Sequence, residues 1–231
     1  MAKAATNNTN WVAIWISVAV VVMLVAVGAL VVWMNNQATA PAEPPAAGQI
    51  DEATGAIRVG DGEHVLEEYV DFMCPHCANF HNTYGETIAE QVEAGTLTLE
   101  IHPISILDSQ SQGTQFSTRA ANAMYCVAET EPDAVYSFYD LLFANQPGQG
   151  SSGLSDDRLV QLAERAGARD AVDCITDVSY ADFVAEKTQE TPVQPGASGI
   201  STPTVLIDGE FLSLGSLTGD PEADVLSRIG Q

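Results

Sequence analysis

The amino-terminal part of the chain divides into an apolar segment and a stretch rich in alanine and proline. Residues 11–34 are almost wholly apolar, and no charged side chain occurs between Lys3 and Glu43. A helix of this length, rising 1.5 Å per residue, crosses the ~30 Å hydrocarbon core of a membrane. We therefore predict a transmembrane helix at 11–34, preceded by cytoplasmic residues 1–10 and followed by a linker at 35–48.

The residues around the apolar segment predict its orientation. Lys3 precedes the segment and acidic residues follow it, so the amino terminus is expected inside and the rest of the chain outside. A cleaved signal peptide is the alternative, because Ala38-Thr39-Ala40 has the small-x-small pattern of a cleavage site. We favour an uncleaved anchor, since the apolar run exceeds the roughly 7 to 15 residues of a signal core and Pro41 would directly follow the cut.

Beyond residue 48, strand-like and helical patterns alternate. Strand-like apolar runs lie at 65–73, 97–102, 204–207 and 210–212. Asp208-Gly209, between the last two runs, is a strong hairpin signal. Apolar positions at helical spacing mark 80–92 and then a block comprising 116–127, 135–142, 159–166 and 180–187. This order predicts one α/β domain at 49–231 with an all-helical insertion at about 112–192.

Two further signals concern helix ends. Thr130 and Asp133 are spaced like a capping box before the helix at 135–142. Pro221 lies in the first turn of a last helix, predicted at 220–229.

The chain is strongly acidic. Its 8 basic and 31 acidic side chains give a formal net charge of -23 over 231 residues. Such a surface repels nucleic acids and anionic lipid surfaces, so we expect neither as a ligand. Most of this charge is explained by solvation of an exported domain, and it identifies no substrate.

The candidate chemistry lies at the junction between the first strand and the first helix of the domain. Cys74-Pro75-His76-Cys77 follows the apolar run directly and precedes the helical pattern. Unpaired N–H groups at a helix start stabilise an anion, and they lower a cysteine pKa from ~8.5 into the range of about 3.5 to 7.5. His76 can add a positive charge or a hydrogen-bond donor, and Pro75 fits the first helical turn. We predict a redox-active dithiol.

A zinc site is the competing interpretation of this motif. A closed zinc site needs a second ligand pair at a compatible spacing, and the chain offers only the isolated Cys126 and Cys174, with His81 and His102 as substitutes. No combination of these spacings fits a closed tetrahedral site, so we expect no metal and no cofactor beyond the Cys74/Cys77 disulfide. An ordinary structural disulfide within the motif is disfavoured by its position between strand and helix.

The two remaining cysteines lie in the predicted helical insertion. In an exported protein such a leftover pair usually forms a disulfide, so Cys126 and Cys174 are predicted to be bonded to each other. The alternative is a second redox centre, which would lack the C-x-x-C spacing.

Three features together resemble one family. These are Cys74-Pro75-His76-Cys77 after Glu68-Tyr69-Val70-Asp71-Phe72, the helical insertion, and Gly199-Ile200-Ser201-Thr202-Pro203-Thr204 before the hairpin. In this order they resemble the DsbA-like thiol:disulfide oxidoreductases of the thioredoxin superfamily. The resemblance implies a thioredoxin fold, in which helices flank a central mixed β-sheet, and it covers the domain but not the apolar segment.

The resemblance also implies roles for three residues. Pro203 would be a cis-proline facing the dithiol, and Thr202 would offer its backbone to an extended substrate segment. Glu68 would be a buried carboxylate that moves a proton to or from Cys77. The alternatives are that Pro203 merely opens an edge strand, and that Glu67 rather than Glu68 faces inward, since one residue changes the face.

The activity implied is oxidation of exported proteins. The Cys74/Cys77 disulfide would be donated to reduced exported polypeptides, and a quinone-linked membrane protein would reoxidise the dithiol. The chain is expected at the cell membrane, with one span and an extracytoplasmic domain. An exported reductase or isomerase, or a non-catalytic peptide-binding module of thioredoxin fold, are the alternatives.

Overall fold

The structure, a computed structural model, describes residues 10–38, 42–46 and 48–230. The chain divides into two compact units, and the boundary between them in the sequence lies between Pro41 and Ala42. The first unit contains helix α1, Trp11–Ala38. Its portion Trp11–Asn35 has a mean hydropathy of 2.8 and is long and apolar enough to span a membrane. The predicted cytoplasmic residues 1–10 lie outside the described residues except for Asn10.

The second unit is built on a five-stranded mixed sheet. The strands are β1 (Ile57–Val59), β2 (His64–Val70), β3 (Leu97–Pro103), β4 (Thr204–Ile207) and β5 (Glu210–Phe211). Their order in the sheet is β1-β3-β2-β4-β5, with β2 and β3 parallel and every other neighbouring pair antiparallel. Strand β3 is almost completely buried, whereas β2 alternates between buried and partly exposed residues, so one face of β2 is covered and the other is partly open.

Helices flank this sheet. Helix α2 (Pro75–Glu93) connects the parallel strands β2 and β3, as a parallel pair requires. The helices between β3 and β4 are α3 (Phe116–Thr130), α4 (Val135–Ala144), α5 (Asp156–Ala166), α6 (Val172–Asp177) and α7 (Ala181–Gln189). A short helix α8 (Pro221–Asp224) follows the hairpin. This is the thioredoxin fold with a helical insertion that the resemblance implies.

A disulfide links two helices of the insertion. Cys126 in α3 and Cys174 in α6 are bonded, with a Cα–Cα distance of 5.7 Å and a sequence separation of 48 residues. The bond lies within a continuous apolar core, where Cys126 is fully buried. The disulfide therefore joins α3 to α6, two helices of the insertion that are far apart in the sequence.

The structure differs from the sequence-based predictions in the amino-terminal segment. Helix α1 continues to Ala38, beyond the predicted end at 34. The amides of Ala42 and Ala46, within the predicted linker 35–48, donate to the carboxylates of Glu186 and Glu129, so this part of the linker lies against the helical insertion. Backbone amides without other partners favour such contacts with acidic side chains.

The two helix-end signals also fail. The capping box predicted at Thr130 and Asp133 is absent, because the Thr130 hydroxyl donates to the Cys126 carbonyl inside α3, and α4 starts after Ala134 without a side-chain cap. The last helix, predicted at 220–229, ends after α8, and a separate 3₁₀ turn follows at Leu226–Arg228.

Candidate active site

The cysteine motif lies where strand β2 passes into helix α2. Cys74 is the N-cap residue of α2, with extended backbone angles φ -80° and ψ 117°, and Pro75 is the first helical residue. The preceding turn is held by Asp71, whose carbonyl accepts from the Cys74 amide at 2.9 Å. The buried Asp71 carboxylate accepts from the Met73 and Leu107 amides and the Ser117 hydroxyl. This network fixes the position of the first cysteine at the helix start.

The two thiols are free and differ in their tendency to ionise. The pKa of Cys74 is lowered to about 6, mainly by a hydrogen bond from the Cys77 thiol and further by the backbone N–H groups of Cys77 and His76, against the opposing effect of burial. Burial, followed by the neighbouring Cys74 sulfur, raises the pKa of Cys77 well above its usual range. Cys74 is therefore largely a thiolate at neutral pH, while Cys77 keeps its proton.

The predicted contribution of His76 divides between its backbone and its side chain. Its backbone N–H is one of the groups that stabilise the Cys74 thiolate. Its imidazole is exposed at the edge of a groove. The backbone contribution is the helix-start effect expected of any residue at this position, and a contribution of the imidazole charge stays a prediction.

The loop before β4 closes over the thiols. The Thr202–Pro203 peptide bond is cis. The Thr202 carbonyl oxygen lies 3.4 Å from the Cys74 sulfur, and the Thr202 hydroxyl lies 3.0 Å from the Cys77 sulfur. That hydroxyl also donates to the Tyr69 carbonyl and accepts from the Asp71 amide, both at 3.2 Å. Thr202 therefore contacts both sulfurs, one through its backbone and the other through its side chain.

A groove of about 390 Å³ opens beside this loop. Its lining is largely apolar and includes His76, Phe80, Tyr84, Thr202, Pro203, Leu214 and Leu217. A groove of this composition next to an accessible backbone segment can receive an extended peptide.

Glu68 lies on the buried face of β2 and is 1% exposed. Its Oε2 atom accepts from the Tyr139 hydroxyl at 2.8 Å, and Oε1 has no hydrogen-bond partner among the described residues. Burial raises the pKa of Glu68 to about 7, an effect that the Tyr139 hydroxyl and the nearby His81 partly offset. The neighbouring Glu67 lies on the opposite face of the strand, so Glu68 is the inward carboxylate.

Helix α4 links Glu68 to the thiols. Tyr139, fully buried on this helix, interacts electrostatically with both Glu68 and Cys77. The ring of His81, from α2, packs edge-on against Tyr139 at a centroid distance of 4.9 Å, and its Nε2 lies 2.9 Å from an Asp140 carboxylate oxygen. A carboxyl with a pKa raised to about 7 thus lies beside Tyr139, and the charge of Cys77 also acts on this tyrosine, although among the described residues no hydrogen bond joins Glu68 or Tyr139 to the thiol.

Sequence reasoning missed three members of the site. Tyr139 belongs to an apolar stripe and was expected only in the core. Gln146, in the loop after α4, donates to the Cys74 carbonyl at 2.9 Å. The Thr202 hydroxyl, as well as its backbone, contacts a thiol. The spacing of these residues carries no signal of their function, because their side chains reach Glu68, the Cys74 carbonyl and the Cys77 sulfur only through the tertiary fold.

Comparisons with known proteins agree with this geometry. A family model described as thioredoxin matches residues 54–220. The oxidised form of DsbA from Mycobacterium tuberculosis is 30% identical, covers 75% of this chain and 90% of its own, and superposes with a TM-score of 0.64. The reduced disulfide bond oxidoreductase DsbG of the same organism is 28% identical, with 79% and 88% coverage and a TM-score of 0.64.

A further relative has a different overall architecture. The serine/threonine-protein kinase PknE of Mycobacterium tuberculosis is 36% identical over 135 residues, which are 55% of this chain and 24% of the kinase. The chain thus spans about a quarter of the curated relative that it matches. The family match spans the five strands, the motif and the helical insertion. Together with the DsbA and DsbG structures, it shows that the chain belongs to the thioredoxin family as a DsbA-like thiol–disulfide oxidoreductase.

Proposed function

We propose that this oxidoreductase works as an extracytoplasmic dithiol oxidase, which donates the Cys74–Cys77 disulfide to reduced cysteines of exported proteins. The observation that carries this proposal is the pKa of Cys74, lowered to about 6 by hydrogen bonds to its sulfur. A thiol with a low pKa is a good leaving group, and stabilising the reduced enzyme in this way makes disulfide donation favourable.

The reaction proceeds through a mixed disulfide. A substrate thiolate attacks the Cys74 sulfur, the bond between Cys74 and Cys77 breaks, and Cys77 takes the electron pair. A second substrate thiolate then attacks the substrate sulfur of the mixed disulfide. The substrate leaves oxidised, and Cys74 leaves as a thiolate.

Glu68 supplies the proton that Cys77 requires. Cys77 leaves as an anion in a buried position, where its raised pKa means that the anion is unstable. A carboxylic acid with a pKa of about 7 is partly protonated at neutral pH and can protonate this anion, directly or through a water molecule. On reoxidation, the same carboxylate accepts the proton.

Substrates bind along the loop at Thr202 and Pro203. An extended segment adds as a strand to the backbone of Thr202 and places apolar side chains in the groove. Main-chain hydrogen bonds are independent of the substrate sequence, which accounts for a broad range of reduced exported polypeptides as substrates.

Helix α1 anchors the enzyme in the cell membrane as a single span. A membrane protein reoxidises Cys74 and Cys77, so the cycle needs no bound cofactor other than this disulfide. The acidity of the chain disfavours nucleic acid as a partner.

The reduction potential tests the direction of the reaction. The full chain in detergent micelles is equilibrated with glutathione redox buffers, and alkylation of Cys74 is followed by mass spectrometry. We expect a potential above about −180 mV, as in strong dithiol oxidases. A potential near that of thioredoxin, about −270 mV, would instead indicate a reductase.

A second measurement distinguishes catalysis from binding alone. Cys74→Ser is compared with the wild-type chain in oxidation of a reduced, unfolded protein and in binding of an unreactive peptide. An oxidase loses the first activity and keeps the second. Equal effects of both proteins on folding would favour the non-catalytic peptide-binding alternative.

A further inference from the structure

The face of the sheet opposite Glu68 carries a second group of titratable side chains. Glu67 on β2 and Glu100 on β3 are register partners, and His102 lies two residues beyond Glu100 on the same face. One potential ligand atom from each of these residues lies within 4.8 Å of the other two. Side chains at positions i and i+2 of paired strands share a face, which accounts for this cluster.

His102 is buried with one ring nitrogen unused. The residue is 3% exposed, and its Nε2 atom has no hydrogen-bond partner among the described residues, although it lies 4.0 Å from Glu67 Oε2. The backbone of Thr54 also interacts with the ring. In the tautomer protonated at Nδ1, the unpaired Nε2 carries a lone pair that faces Glu67 in the cluster.

The ring of His102 is also held in place. Tyr69 stacks on it with a centroid distance of 4.0 Å and an interplanar angle of 11°. A buried imidazole whose ring is held in place, and which has one ring nitrogen without a partner among the described residues, is suited to ligate a metal ion.

The two carboxylates are incompletely compensated. Arg58 contacts Glu100 at 2.8 Å, and the Tyr69 hydroxyl donates to Glu67 at 3.3 Å. The charge of Asp51 also acts on Glu100 and His102. Among the described residues, one guanidinium therefore faces three acidic groups. The side chains of Glu67 and Glu100 are 23% and 16% exposed, so the cluster is open to ions from solvent.

We propose that Glu67, Glu100 and His102 bind a divalent transition-metal ion, and that Zn²⁺ is the ion their donor set fits best. One imidazole nitrogen and two carboxylates supply three ligands, and water supplies the fourth. Tetrahedral ligands at ~2.1 Å from zinc lie roughly 3.4 Å apart, so the flexible glutamate side chains must move inward from their present spacing. The site departs from the expectation that the chain binds no metal, and it involves neither Cys74 nor Cys77.

The proposed ion would cross-link the two central strands. It would join β2 to β3 on the face opposite Glu68, beneath the turn that contains Thr54. The inference does not depend on the direction of the redox reaction, because the cluster contains neither of the two thiols.

Zinc titration of the full chain tests the site. The chain is prepared without an affinity tag, in detergent micelles, with Cys74 and Cys77 oxidised so that no thiol can ligate, and chelators are removed by dialysis. Zn²⁺ is then titrated against a chromophoric competitor. We expect one equivalent to bind, and excess Ca²⁺ or Mg²⁺ to leave it in place; displacement by either would overturn the assignment of a transition metal.

Substitutions locate the ion. Glu67→Gln and Glu100→Gln keep the size of the side chain, and each is expected to weaken binding at least 10-fold, while His102→Gln abolishes it. His64→Gln is the matched control, because His64 is partly buried at the start of β2 and contacts Asp208, outside the cluster. Metal-free melting temperatures and circular dichroism establish that each variant folds.

A spectrum gives a readout independent of affinity. Co²⁺ in the site should show visible d–d bands without a thiolate charge-transfer band, and these bands should be lost in Glu67→Gln. The proposal is overturned if the wild-type chain binds no equivalent of Zn²⁺, or if binding is unchanged in both glutamate variants.

Discussion

Strand β2 presents neighbouring glutamates to two different environments. Glu68 is enclosed by the helical insertion, accepts one hydrogen bond from Tyr139 and has a pKa of about 7. Glu67, one residue earlier, is partly exposed beside Glu100 and His102. Two identical functional groups therefore differ in burial and neighbours, and the one that is buried has the raised pKa while the other lies next to a second carboxylate and an imidazole.

We expect the largest effect from replacement of Cys74. Cys74→Ser removes the sulfur that substrates attack, so disulfide transfer should fall at least ~10³-fold, as when other enzymes lose the residue that forms the covalent intermediate. The measurement is the rate of oxidation of a reduced substrate protein. Zn²⁺ binding on the opposite face should be unchanged, and a parallel loss of both properties would show that the faces are not independent.

Replacement of Glu68 tests the proton transfer. Glu68→Gln should slow disulfide transfer about 10² to 10⁴-fold and remove the dependence of the rate on pH near 7. The rate is measured from pH 5 to 9 with the wild-type chain as reference. A pH profile that is unchanged would show that Cys77 obtains its proton from another group.

The stability of the same variant should depend less on pH than that of the wild-type chain. Because the pKa of Glu68 rises from 4.5 to about 7 on folding, its contribution to stability is fully present below pH 4.5 and is lost as the pH rises through 7. This loss amounts to about 3 kcal/mol at ~1.4 kcal/mol per pKa unit. Glu68→Gln lacks this loss, so urea denaturation at pH 5 and pH 8 should show a smaller pH dependence than for the wild-type chain.

Removal of the Tyr139 hydroxyl should change disulfide transfer less than replacement of Glu68 does. Tyr139→Phe keeps the aromatic packing but removes the hydrogen bond that lowers the pKa of Glu68. The pKa of Glu68 should then rise further, and the midpoint of the pH profile should move upward by about one unit. Tyr136→Phe is the control, since its hydroxyl donates to the Gly85 carbonyl and not to Glu68.

The smallest effect is expected on the opposite face. Glu67→Gln should leave the reduction potential and the pH profile of disulfide transfer unchanged, because this side chain points away from the thiols. Both are measured in metal-free buffer against the wild-type chain. A shift of the pH profile in Glu67→Gln comparable to that in Glu68→Gln would contradict the division between the two faces.

Local sequence patterns predicted the parts of the fold that depend on neighbouring residues. The apolar run before Cys74, the helix that starts at Pro75 and the Asp208-Gly209 hairpin all have short-range signals. Strand β1 was missed, since three residues are too few to show alternation. The capping box at Thr130 failed because the hydroxyl bonds backward within its own helix.

The residues of the candidate site likewise differ in whether the sequence alone identifies them. Cys74 and Cys77 are identified by spacing and position, and Glu68 and Pro203 by resemblance to a family. Whether Glu67 or Glu68 faces inward depends on which side of the sheet the insertion covers, and Tyr139 reaches Glu68 only through the packing of α4 on β2. Such contacts between residues distant in sequence leave no local pattern in the chain.

The disulfide between Cys126 and Cys174 has a consequence for biosynthesis. It closes a loop of 48 residues that contains the helix carrying Tyr139. Closure of a loop of this size lowers the conformational entropy of the unfolded chain, which stabilises the folded state by about 4 kcal/mol. A newly made molecule therefore requires an oxidant before its helical insertion is cross-linked, so this thiol–disulfide oxidoreductase itself depends on the formation of a disulfide.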